Sequence, residues 1–101
     1  MITAVVQFQL PETANSESIK ADFVHIAPMF QPIPGLIRKY FLLSEDCKTG
    51  GGVYLWESRQ QAEAFYNPSF AEAIAEKFGS VPSITYFETP AVVDNLSQAI
   101  L

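Results

Sequence analysis

From Ile2 to Leu10 apolar and polar positions alternate, with Ala4, Val6, Phe8 and Leu10 in one set and Val5, Gln7 and Gln9 in the other. A period of two predicts a strand with one buried face, stopped by Pro11. Asn15 and Ser16 then offer capping oxygens, Glu17 suits the positive end of a helix dipole, and Ile19, Phe23, Ile26 and Ala27 recur at helical spacing. Pro28 is predicted to end or kink this helix, because proline disfavours helical geometry at the residue before it. Pro28 to Gly35, with three prolines, reads as a loop. A strand is predicted over Leu36 to Ser44, a turn over Glu45 to Gly50, and a second strand from about Gly51 to Glu57, together a hairpin. Ser58-Arg59-Gln60-Gln61 fits a capping box opening a helix whose buried stripe starts at Ala62 and Phe65. Asn67-Pro68 breaks the stripe and Ser69-Phe70-Ala71-Glu72 is a second capping box. Phe70, Ala73, Ile74, Lys77 and Phe78 continue the face to a terminating Gly79. The last strand, Ser83 to Thr89, ends at Pro90.

The order β-α-β-β-α-β is the split-βαβ pattern, and it predicts a ferredoxin-like α+β fold with an antiparallel sheet. Two helices cover only one face of such a sheet. Yet Tyr40, Phe41, Leu42 and Leu43 are consecutive, so both faces of that strand ask for burial, and a second subunit is the natural cover for the other face. A homodimer is therefore expected. Residues 91 to 101 still carry Val92, Val93, Leu96, Ile100 and Leu101, a tail too apolar to dangle, expected to dock on its own or the partner subunit.

Composition narrows the picture. The 101 residues, 49% of them apolar, suit one domain with a real core and leave no room for a second. The net charge is −5 and the six Lys and Arg are scattered, so neither nucleic acid nor an anionic membrane surface is an expected partner. No apolar run could span a bilayer and no secretion signal opens the chain. With the lone Cys47 unable to form an internal disulfide, the expected location is the cytoplasm.

Three stretches carry a resemblance to a known family: Pro34-Gly35-Leu36, then Thr49-Gly50-Gly51-Gly52-Val53-Tyr54-Leu55-Trp56-Glu57-Ser58, then Ala62-Glu63-Ala64-Phe65. From Ile2 to about Val93 the chain resembles the dimeric α+β barrel superfamily, and within it the YdhR-like monooxygenases. The resemblance implies a homodimer that needs no cofactor and acts as a monooxygenase on a small aromatic or quinol-type molecule. A non-catalytic small-molecule-binding dimer of the same fold is the alternative, and a ring isomerase a third reading. Fold alone does not choose among them.

Among residues that could do chemistry, one His and one Cys in different elements make no metal site. Gly50-Gly51-Gly52 lacks the Lys and Ser/Thr of a phosphate loop and reads as a hairpin turn needing positive φ. His25, the one side chain expected to titrate near neutrality unaided, is a candidate base or a solvated surface residue. Trp56 shares a strand face with Tyr54, and together they line an aromatic pocket or simply pack the core. Tyr40 and Tyr86 are candidate proton donors or oxyanion partners, with core packing as the alternative for each. Phe65 adds a candidate apolar wall. By the resemblance, Gln7 falls where some relatives carry a polar pocket residue, and Ile74 where the haem-degrading branch carries a His, which leaves haem without an axial ligand.

Overall fold

A computed structural model describes residues 1–101. β1 (Ile2–Gln9) leads to α1 (Ser16–Ile26), then to β2 (Leu36–Leu43) and β3 (Thr49–Trp56). The broken helix follows as α2 (Arg59–Phe65) and α3 (Pro68–Phe78), and β4 (Ser83–Glu88) closes the set. The sheet is antiparallel in the order β2-β3-β1-β4, a ferredoxin-like α+β fold with the helices on one face.

The caps explain where the helices begin. Asn15 accepts from the Ser18 amide at 2.9 Å and opens α1. Ser58 accepts from the Gln61 amide at 3.2 Å, while its hydroxyl donates to Gln61 Oε1 at 3.1 Å. The second cap differs from the expected one. Asn67, rather than Ser69, accepts from the Phe70 amide at 3.1 Å, and Pro68 occupies the first turn, where its missing N–H costs nothing. Gly79 ends α3 at φ 85°. α1 ends at Ile26, ahead of Pro28 as expected, and the chain passes into a 3₁₀ turn, Ala27–Phe30, with Pro28 in its first turn.

The strand expected from about Gly51 starts at Thr49, and the triple glycine serves that strand and not the turn. Gly50, Gly51 and Gly52 lie inside β3, and the left-handed residue of the β2–β3 turn is Cys47, at φ 60°. There Asp46 accepts from the Ser44 hydroxyl at 2.7 Å and the Lys48 amide at 3.0 Å, which supplies the turn without glycine. Crowding requires a glycine at Gly51 and favours one at Gly50. A Cβ on Gly51 would lie 1.9 Å from the Val6 carbonyl oxygen, and one on Gly50 would lie 3.0 Å from the Phe8 ring.

Pleating sends Ala4, Val6 and Phe8 of β1 and Tyr54 and Trp56 of β3 toward the helices, where they meet Ile19, Phe23, Ala62 and Phe78 in one core. The opposite face carries Tyr40, Leu42 and Phe87 at 56%, 38% and 53% exposure. In the single chain the second face of β2 is thus uncovered, not buried.

After β4 the chain forms a small hairpin, β5 (Val93–Asp94) with β6 (Ala99–Ile100), which reaches β2 through a side-chain pair. Asp94 pairs with Arg38 of β2 and accepts from the amides of Leu96 (3.1 Å) and Ser97 (3.3 Å). Arg38 foremost, then Ser97, pulls the Asp94 carboxyl down to about 2. The carboxyl is shielded by the hairpin, but the Arg38 guanidinium is more than a third exposed, so salt still screens the pair. Because the folded value lies below the ordinary 3.8, the contribution is full above that pH and lost as pH falls toward 2. Tail amides at Leu96 and Ser97 are therefore expected to lose hydrogen-exchange protection between about pH 4 and 2 while β1 keeps its own. Tail protection unchanged across that window would show that the pair does not dock the tail.

Candidate functional site

Between sheet and helices lies a cavity of about 50 Å³, lined almost wholly by apolar side chains. The sheet supplies Val6, Phe8, Phe41 and Tyr54, with Gly51 leaving its floor bare. α1 supplies Phe23 and Ile26, α3 supplies Phe70, Ile74 and Phe78, and the 3₁₀ turn supplies Phe30. The one charged side chain in the lining is Lys39.

Lys39 faces inward because β2 alternates. Phe41 and Leu43 pack toward the core, so Lys39, two residues earlier, shares their face. Its Nζ stands 3.3 Å from the Phe30 ring centroid, 3.7 Å from Phe41 and 4.6 Å from Tyr54. Cation–π attraction holds it there, and no salt bridge engages it. Burial lowers its amine to about 7. Gly52 makes the room: a Cβ there would lie 3.2 Å from Lys39 Cε and 3.1 Å from the Tyr54 ring. Phe30, Lys39 and Phe41 also line an open cleft of about 450 Å³ on the outside, so they form the partition between cleft and cavity.

A second aromatic group stands behind Tyr54. Trp56, at 0% exposure, stacks on Tyr54 at 6.1 Å between centroids and 7° between planes. Its indole N–H donates to the Tyr66 hydroxyl at 3.2 Å. Phe65 lies 5.5 Å from the Trp56 ring and 6.0 Å from Phe30. Tyr86 packs edge-on to Tyr66 and carries Arg59 over its ring at 4.2 Å. Burial raises the hydroxyls of Tyr54, Tyr66 and Tyr86, so all three stay neutral donors.

Of the residues singled out from sequence, Tyr54 lines the cavity, and Trp56 and Phe65 back it without reaching it. Tyr86 packs further along the same aromatic group. His25 is exposed on the outer side of α1, two residues round the helix from Phe23. Gln7 and Tyr40 are exposed on the open face of the sheet, turned from the cavity by the pleat. Lys39, Phe30 and Phe41 were not singled out. The alternation that set Phe41 inside also set Lys39 inside, and that signal was in the sequence.

The fold has solved counterparts. A "putative antibiotic biosynthesis monooxygenase" from Deinococcus radiodurans superposes with a TM-score of 0.69 at 13% identity, covering 93% of this chain and 97% of that one. SnoaB from Streptomyces nogalater, described as a cofactor-independent oxygenase, gives 0.63 at 17% identity over 93% and 97%. A point mutant of MhuD, with two manganese protoporphyrin IX bound per active site, gives 0.68 at 20% identity over 94% and 100%. At these identities the likeness is one of fold, that of the dimeric α+β barrel proteins. No curated protein matches the chain. Residues 5–98, the sheet, the helices and the cavity between them, match the family described as "Putative mono-oxygenase ydhR", and the chain belongs to that family.

Proposed function

We propose that the chain is a cofactor-independent monooxygenase taking a small hydroxyaromatic or quinol-type substrate between its sheet and helices. The observation that carries this reading is the aromatic-lined cavity with a single charged side chain, in a chain of a monooxygenase family. Such a site strips water from a substrate and leaves ring faces to stack on it. The substrate supplies the reducing power. A hydroquinone and one O₂ give a hydroxyquinone and one water; one oxygen atom enters the ring and the other leaves reduced, all four electrons coming from the ring. SnoaB's description as a cofactor-independent oxygenase of the same fold supports the class of reaction.

The cavity of about 50 Å³ is smaller than the ~150 Å³ that admits a benzene ring. Entry therefore requires the partition of Phe30, Lys39 and Phe41 to yield, joining the cavity to the outer cleft. The porphyrin held by MhuD finds no counterpart in these residues: Ile74 faces the cavity and the only His, His25, points outward.

A homodimer completes the reading. Tyr40, Leu42 and Phe87 on the open face, with Val93, Leu96 and Ile100 on the tail, form the apolar surface a second copy would cover. No helix is long and apolar enough to cross a membrane, and a free Cys47 fits a reducing cytoplasm.

Oxygen uptake across a panel of hydroquinones tests the reading. Consumption of one O₂ per hydroxyquinone formed, absent with the heat-unfolded protein, is the expected result. Saturable binding of the same compounds with no uptake would replace it with the non-catalytic binding dimer.

A further inference from the structure

We propose that Lys39 takes the proton from an acidic hydroxyl of the aromatic ligand and then holds the resulting anion. The inference rests on the functional reading above and names the residue on which it turns. The cavity and cleft are lined by three titratable or charged groups in all: Lys39, Arg38 and Tyr54. Arg38 is committed to Asp94, and the Tyr54 hydroxyl is kept neutral by burial. Lys39 alone is free of a counter-ion, and it stands at the partition a ligand must pass.

The cage that holds its ammonium is built of ring faces. Those faces serve an aromatic ligand as well as they serve a cation. A ligand ring stacking on Phe30 and Phe41 displaces the lysine head, in its uncharged amine form, toward the ligand's own hydroxyl. In that exchange the ligand O–H bond breaks and an N–H bond forms on Lys39 Nζ, with no change of oxidation state. The products are an ammonium and a phenolate, joined by a charge-assisted hydrogen bond in a water-poor site. Near neutral pH a substantial fraction of the lysine is uncharged and ready to accept the proton. The room for its side chain is reserved by Gly52, where any side chain would press on Lys39 and Tyr54.

The test uses 4-nitrophenol, whose phenolate absorbs at longer wavelength than the phenol, buffered one unit below the probe's own pKa. Nitrobenzene is the partner probe that lacks the hydroxyl. With the wild-type chain, 4-nitrophenol is expected to show a saturable phenolate band. Lys39→Met is expected to lose that band and bind 4-nitrophenol at least tenfold more weakly, while binding nitrobenzene within twofold of wild type. Nitrobenzene binding to wild type without any phenolate band from 4-nitrophenol overturns the role of Lys39 and leaves the aromatic site standing, a result that needs no variant. A phenolate band kept by Lys39→Met does the same. Failure of wild type to bind either probe overturns the functional reading itself, and this inference with it.

Discussion

Trp56→Ala is expected to cost about 3–5 kcal/mol of folding stability, the range for deleting a fully buried large aromatic. Three losses combine. The ring, at 0% exposure, leaves a void among Tyr54, Phe65 and Tyr66 that these partners cannot collapse to fill, since each is held by further stacking. The face contact with Tyr54 is forfeited, and with it the support that holds Tyr54 against the cavity. The Tyr66 hydroxyl loses the donor it accepts from in a half-buried place. For a domain of 101 residues a loss of this size takes much of an ordinary folding free energy. Trp56→Phe keeps most of the apolar area and is expected to cost less than half as much. Urea unfolding of the three proteins, followed by far-ultraviolet circular dichroism, measures both. A cost below about 1 kcal/mol for the alanine variant would mean that the aromatic group is not packed as described.

The order of elements was legible because each rested on local chemistry. The caps at Asn15 and Ser58, the stop at Gly79 and the alternation of β1 depend on neighbours a few residues away. The family resemblance was legible for the same reason, carried by short stretches around β3. What was not legible depended on contacts distant in sequence. Gly50-Gly51-Gly52 looks like a turn when read alone. Its need for glycine comes from β1, whose Val6 carbonyl leaves no room for a Cβ at Gly51 and whose Phe8 ring stands close to Gly50. The helix does break at Asn67-Pro68, but Asn67 and not Ser69 caps its second half, because Pro68 is at home in a first turn. The site divided along similar lines. Tyr54 could be placed beside Trp56 by alternation, and His25, a candidate only for its titration range, lies off the apolar stripe of its helix and stands outside as the solvated alternative has it. Lys39 does not stand out in the sequence because a lysine is ordinarily a surface residue. Only the inward direction of Phe41 and Leu43, taken together with the glycine opposite, shows it to be enclosed.

That enclosure predicts a second large effect, independent of any ligand. Lys39→Met is expected to stabilise the fold by about 2–4 kcal/mol at pH 6, and the gain should vanish as pH rises past the ordinary lysine value of 10.5. The sign follows from proton counts. Burial lowers the folded-state amine from 10.5 to about 7, so between those values the unfolded chain binds a proton that the folded chain does not. Below about 7 both states are protonated, and the folded chain carries the full cost of a cation held away from water. From about 7 upward that cost is relieved, and wild-type stability should climb relative to the variant by about 1.4 kcal/mol per pH unit. The whole shift would amount to roughly 5 kcal/mol at that rate. Residual solvent contact and the three ring faces make the expected figure smaller. Methionine fills nearly the same volume without the charge, so packing should contribute little to the difference. Urea unfolding of both proteins at pH 6, 8 and 10 gives the difference curve directly, with titrations common to both cancelling. A difference that stays flat with pH would show the ammonium to be hydrated in the folded protein and the cage open to water. A curve falling through the neutral range would mean the fold tolerates a buried amine whose removal makes it more stable, the mark of a residue kept for what it does and not for what it holds together.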